Sequence, residues 1–170
     1  MLHLYTGDGK GKTTAAVGLA ARAAGRGMRV CFAQFMKGNE SGEIVSLAQI
    51  PKVTVHRSNK VFGFYNDLTD EEKAELTDIH NDILREVLIR AKTGTCGMVI
   101  LDELTYPLMW NLVNMELVKS LLALSKNIEI VVTGRNAADF LVEQADYITE
   151  MKAVRHPFDK GVQARIGIEY

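Results

Sequence analysis

Apolar residues in this chain gather in short runs separated by longer stretches with helical spacing. Strand-like runs occur at Leu2 to Tyr5, Arg29 to Phe35, Val53 to His56, Met98 to Leu101, Ile128 to Thr133 and Tyr147 to Met151. Within them, Val99-Ile100-Leu101 and Ile130-Val131-Val132 do not alternate with polar residues, the pattern of central strands buried on both faces. Strands alternating with helices predict a mostly parallel sheet covered by helices on both sides.

The helical stretches carry their own punctuation. Lys12 to about Arg26 is rich in alanine, so it can lie close to a sheet, and Gly25 and Gly27 end it. The longest helix opens with Thr69 and Glu72 in capping-box spacing, and Leu76, Ile79, Ile83, Val87 and Ala91 follow three or four apart. Its acidic start, Asp70, Glu71, Glu72 and Glu75, complements the helix dipole as a solvated face. Asn114 and Asn136 are the expected caps of two later helices. The tail after Lys152 holds a turn or functional loop at 155–161, then an expected edge strand from Val162 to Ile168.

One segment changes the picture from architecture to chemistry. Gly7-Asp8-Gly9-Lys10-Gly11-Lys12-Thr13-Thr14 follows the first strand and opens the alanine-rich helix, the order a phosphate-binding loop requires. Glycines let backbone N–H groups turn inward into an anion nest, and the helix start aims its positive end at the same point. Lys12 adds a full charge, and the Thr13 hydroxyl is placed for a magnesium ion bridging phosphates. The usual G-x-x-x-x-G-K-[ST] spacing asks for glycine at position 6, where this chain has Thr6 and the glycine comes one residue later. The expectation is a bound nucleoside triphosphate on a three-layer α/β phosphate-loop (RecA-like) fold, with residues 1–170 as a single domain.

Bulk properties narrow the partners. At 170 residues and 47% hydrophobic content, the chain can bury one substantial core. A net charge of −1 supplies no basic footprint for nucleic acid. Cys31 and Cys96 lie in or beside apolar segments and fit buried thiols in a reducing compartment. No apolar run reaches membrane-spanning length and no charged leader precedes the first strand, so a soluble cytoplasmic protein is expected.

Open parallel sheets place ligands beyond the carboxyl ends of their strands, so strand ends are where further chemistry is expected. Gln34, Lys37 and Asn39 follow the second strand, with Lys37 either reaching phosphate or solvated. Asp102-Glu103 ends the fourth, where nucleotide-binding folds put a carboxylate for magnesium. Glu103 there holds the ion, orients a water, or sits in a first helical turn. Thr133-Gly134-Arg135 ends the fifth, with Arg135 either neutralising phosphate or a turn residue. Phe62, Phe64 and Tyr65 surround Gly63 in a loop that either covers a flat partner or packs its own base on the core. Trp110 reads as core. His3, His56, His80 and His156 show no metal-ligand spacing and read as structural.

Taken together, these residues resemble a known family. The loop from Thr6 to Ala15, Gln34-Phe35-Met36-Lys37-Gly38, Leu101-Asp102-Glu103-Leu104-Thr105-Tyr106, Thr133-Gly134-Arg135 and the tail from His156 to Tyr170 are similar, in order, to the phosphate-loop ATP:corrinoid adenosyltransferases, and the displaced glycine matches that family's loop. The resemblance implies ATP and a reduced corrinoid as substrates, Mg²⁺ as cofactor, and attack of Co(I) on the ribose 5′-carbon with triphosphate as leaving group. By matched position it puts Gly7, Asp8, Gly9, Lys10, Gly11, Lys12, Thr13, Thr14, Arg22, Lys37 and Arg135 on ATP, with Asp8 and Arg22 near the nucleoside. It puts Thr13, Glu103 and Asp102 on magnesium, Lys12, Thr13 and Glu103 in the catalytic set, and Phe62, Phe64 and Tyr65 on the corrin. It further implies a homodimer and a flavoprotein reductant such as flavodoxin. Two departures stand out: the family's Gly-Phe-Thr-Trp corrin-loop pattern reads Gly63-Phe64-Tyr65-Asn66 here, and the N-terminal extension frequent in the family does not precede the first strand, so closure of the corrin site is expected to be weaker or to come from another segment. The competing functions are a conventional phosphate-loop ATPase or kinase, and an ATP-gated corrinoid-binding protein without turnover.

Overall fold

A computed structural model of the chain describes residues 1–169, apart from the side chain of Phe158; Tyr170, the last residue of the tail motif, lies outside the described residues. Six strands, β1 (Leu2–Thr6), β2 (Val30–Gln34), β3 (Val53–His56), β4 (Met98–Asp102), β5 (Glu129–Thr133) and β6 (Tyr147–Glu150), form one sheet in the order β3-β2-β4-β5-β1-β6. Every pairing is parallel. Parallel neighbours need crossovers, and these contain helices α1 (Lys12–Gly25), α2 (Gly42–Ala48), α3 (Asp70–Lys92), α4 (Thr105–Met109), α5 (Met115–Leu122) and α6 (Asp139–Gln144).

Two apolar layers follow from the two-residue period of the strands. Cys31, Ala33, Val99, Leu101, Ile130 and Val132 face the side covered by α3, α5 and α6. Val30, Phe32, Met98, Ile100 and Val131 face the opposite side, where Ala16, Ala20 and Ala23 of α1 and Leu47 of α2 close on them. The small residues of α1 permit the close approach expected of them. Strands β4 and β5 are the central buried pair, as their unbroken apolar runs predict.

The caps test the local reading residue by residue. Thr69 accepts from the Glu72 N–H at 3.2 Å while Glu72 accepts from the Thr69 N–H at 2.9 Å, a complete capping box. Asn114 caps α5 by accepting from the Glu116 N–H at 2.8 Å. Asn136 is not a cap: it sits in a left-handed turn at φ 50°, and α6 begins three residues later, at Asp139, behind Ala138. The expected edge strand at 162–168 is also absent. After β6 the chain leaves the sheet and crosses the phosphate loop, where the Gly9 N–H donates to the Met151 carbonyl at 2.6 Å. Its end closes into a turn, with the Glu169 N–H donating to the Arg165 carbonyl and an Arg165–Glu169 ion pair at 3.0 Å. Local pairing of these two side chains, four residues apart, wins over an extended strand.

Cys31 and Cys96 are buried and unpaired. A hydrogen bond between the thiols, with burial, pushes Cys31 up, and the same bond holds Cys96 below its ordinary value. Among the described residues, no helix is long and apolar enough to cross a membrane.

His80 locks the loop after β2 onto α3. Buried, it accepts from the Met36 N–H at 3.4 Å through Nε2, and its Nδ1 lies 3.2 Å from the Leu112 carbonyl, to which it donates. Burial pushes its pKa from 6.5 down to about 4. Because the folded state disfavours the proton, this contribution to stability is complete above the unfolded value and is lost as pH falls from 6.5 towards 4. The loss amounts to about 3 kcal/mol. Urea midpoints measured across that window should therefore fall less steeply in His80→Gln than in the parent chain; parallel curves would remove His80 from the acid response.

Candidate active site

The phosphate loop occupies the turn between β1 and α1. Gly7 and Gly11 take φ of 94° and 116°, the left-handed region that favours glycine. A Cβ on Gly7 would lie 2.5 Å from the Met151 carbonyl, so the chain after β6 passes against the loop itself. Lys12 is only 8% exposed, and its ammonium donates to the carbonyls of Gly7 at 2.6 Å and Gly9 at 2.8 Å. Burial, then repulsion from Arg135, lowers its pKa, opposed by Glu103, Asp8 and Asp102. Asp8, Gly9, Lys10, Gly11, Thr13 and Thr14 line a cavity of about 850 Å³ over the loop, and Gly7 serves it through Lys12.

The end of β4 completes one wall. Asp102 is fully buried and organises its surroundings: Oδ1 accepts from Thr13 at 2.8 Å and Thr133 at 2.7 Å, and Oδ2 accepts from Gln34 at 3.2 Å. Three strand ends and the loop therefore meet on one carboxylate. Glu103 adopts φ 61°, unusual for a residue with a side chain, and its N–H donates to the Thr133 hydroxyl at 3.0 Å. That twist directs Glu103 into the cavity, where Oε2 is buried with no hydrogen-bond partner. Burial and then Asp102 raise its pKa, opposed by Lys37, Lys12 and Arg135.

Of the cations expected near phosphate, Lys37 and Arg135 line the cavity. Lys37 stands 3.8 Å from both Asp102 and Glu43, and Arg135 donates to the Asp8 carbonyl at 3.3 Å. Arg22 is exposed on α1 and is not among the residues lining this cavity. Several contributors went unread in the sequence as cavity residues. Glu43 and Ser46 on α2, Tyr106 on α4, and His156 before the tail turn all line it. Glu43 lies in the first turn of α2, where an acid reads as dipole compensation, so no local signal distinguishes it. The tail supplies a further wall at 167–169, and Lys10 donates to the Ile168 carbonyl at 2.9 Å.

The aromatic loop divides its labour. Phe62 and Tyr65 pack on a small separate cluster of Leu68, Leu76 and Leu112, whereas Phe64 is 84% exposed. Trp110, expected in the core, instead ends α4 half-buried, with its ring stacked 4.3 Å from that of Tyr65 at an interplanar angle of 3°. α4 is only five residues long, so its last side chain reaches the loop rather than the sheet.

A divalent cation fits the donors present. The Thr13 hydroxyl and the Glu103 carboxylate, with its unpartnered oxygen, are hard oxygen ligands on one wall, and Asp102 orients Thr13. Among the described residues no three His, Cys, Asp or Glu side chains converge as a metal cage. Such a sparse set suits magnesium, which keeps waters and takes oxygens from a substrate phosphate.

Comparison with known proteins agrees with this geometry. The family model described as ATP:corrinoid adenosyltransferase BtuR/CobO/CobP matches residues 1–170. Corrinoid adenosyltransferases of Escherichia coli K12 and Salmonella typhimurium are 33% and 32% identical, each aligned over 100% of this chain and 85% of the relative. That of Pseudomonas aeruginosa is 33% identical over 100% of this chain and 83% of its own length. Among solved structures, a KaiC-like protein from Pyrococcus horikoshii shares the fold, with TM-score 0.55 at 16% identity over 99% of this chain and 75% of the other. With a phosphate loop, a strand-end carboxylate and full-length likeness in agreement, the chain belongs to the ATP:corrinoid adenosyltransferase family and is an enzyme of that type.

Proposed function

We propose that this enzyme transfers the 5′-deoxyadenosyl group of ATP to the Co(I) centre of a reduced corrinoid, in adenosylcobalamin synthesis or salvage. The cobalt lone pair forms the Co–C5′ bond, the C5′–O bond breaks, and its electron pair leaves on the triphosphate. The observation that carries this reading is the single cavity that joins the phosphate loop to Glu103, Lys37 and Arg135 and reaches Tyr106 beside the aromatic cluster.

Charge grows on the departing triphosphate, so the protein's task is to receive it. Lys12, the loop N–H groups, Lys37 and Arg135 supply the opposing positive charge, and Thr13 and Glu103 would hold Mg²⁺, which would neutralise phosphate oxygens when bound. Asp102 holds Thr13 in place. Orientation supplies the rest, since no protein nucleophile is required and C5′ need only be kept in line with cobalt. The aromatic loop meets the corrin face, a flavoprotein such as flavodoxin delivers the electron that makes Co(I), and the enzyme works as a homodimer in the cytoplasm.

Incubation with ATP, Mg²⁺ and chemically reduced cobalamin should yield adenosylcobalamin and inorganic triphosphate in equal amounts. ADP and phosphate as the nucleotide products, without cobalt alkylation, would mark a conventional ATPase and overturn the proposal. Corrinoid binding with no product of either kind would mark a carrier.

A further inference from the structure

Phe62 and Tyr65 both pack the aromatic loop inward, and Tyr65 carries its stacking contact to α4. Tyr65 lies parallel to Trp110 at 4.3 Å, and Lys73 approaches the Tyr65 ring to 5.2 Å. Trp110 in turn stacks on Tyr106 at 5.2 Å and 27°, and Tyr106 lines the triphosphate cavity. Three rings thus form a continuous path from the nucleotide cavity to the loop.

This path fixes where Phe64 points. Phe64 has extended backbone, φ −65° and ψ 143°, so its side chain and that of Tyr65 diverge. With Tyr65 clamped inward, Phe64 is driven outward, and Met109, the residue before Trp110, is exposed as well, at 45%. Phe64 thus stands exposed on a loop joined by stacked rings to the nucleotide cavity, and in a corrinoid adenosyltransferase the flat apolar partner for such a ring is the corrin macrocycle. Trp110 stands outside the two main core layers, which is why its loss should spare the sheet.

Resting on the function proposed above, we propose that Trp110 is a positioning residue for the corrinoid: by stacking on Tyr65 it holds the loop so that Phe64 is presented to the macrocycle. Trp110 itself does not bind the nucleotide. Each stacked aromatic pair contributes enough that removing the Trp110 ring should weaken corrinoid engagement about tenfold.

The test uses the whole chain and reduced cobalamin. In Trp110→Ala, KM for cobalamin should rise about tenfold, KM for ATP should stay within about twofold, and Trp110→Phe should recover most of the loss. Tyr65→Ala should reproduce the effect, and the double variant should not multiply it, because both changes break one contact. Unchanged cobalamin KM in a parent-active background, equal shifts in both KM values, or full additivity of the two variants would overturn the assignment. If Trp110→Ala does not fold, the same comparison is made with Tyr65→Ala and Trp110→Leu. Failure of the parent chain to adenosylate cobalamin would instead sink the functional proposal, so the two failures are distinguishable.

Discussion

Lys12→Ala should lower the rate of adenosylcobalamin formation by about 100- to 1000-fold at saturating ATP, the scale of losing one preorganised charge opposite a developing anion. The lysine is already desolvated and held against the loop carbonyls at 2.6 and 2.8 Å, so it needs little reorganisation to meet a phosphate. Lys60→Ala is the control. Its ammonium pairs with Glu75 on the surface and lies 5.2 Å from the Phe62 ring, away from the triphosphate cavity. Losing such exposed contacts should change the rate by less than about fivefold. Initial rates on variants with unchanged circular dichroism decide the matter. Equal losses would show that the loop lysine does not face the leaving group.

Asp102→Ala should cost both stability and activity. The fully buried carboxylate accepts from Thr13, Thr133 and Gln34 and balances Lys37 at 3.8 Å. Truncation leaves the buried Thr133 hydroxyl and the half-buried Thr13 hydroxyl without their acceptor and Gln34 with Glu43 alone, which predicts a loss of about 3 kcal/mol in urea unfolding. The Thr13 hydroxyl loses its orientation at the same time, so the dependence of rate on Mg²⁺ concentration should shift to higher concentrations. A variant with an unchanged urea midpoint would mean that water substitutes for the carboxylate, and an unchanged Mg²⁺ dependence would mean that Asp102 does not set the pose of Thr13.

These effects separate what was legible in the chain from what was not. The unbroken runs at 99–101 and 130–132 read correctly as the central strands, because a strand covered on both faces must be apolar at every position. The capping box at Thr69 and Glu72 and the cap at Asn114 were readable because each is closed by residues two or three apart. Asn136 and the segment 162–168 were misread: cap and strand propensities are weak, and a left-handed turn in one case and the Arg165–Glu169 turn in the other prevailed. Glu43, Ser46 and Tyr106 gave no warning as site residues, since they reach the cavity from helices whose placement depends on packing.

The sequence by itself determined the chemistry of the phosphate loop, the alternation of strands and helices, and the family. Each rests on residues adjacent in the chain or on an ordered set of such motifs. Tertiary structure alone decided that one carboxylate, Asp102, would tie together the loop and three strand ends, and that Trp110 would clasp the aromatic loop. The reason is that these contacts join residues tens of positions apart. Their meeting is set by the order in which six parallel strands assemble and by the pitch of short helices, and no local preference encodes either.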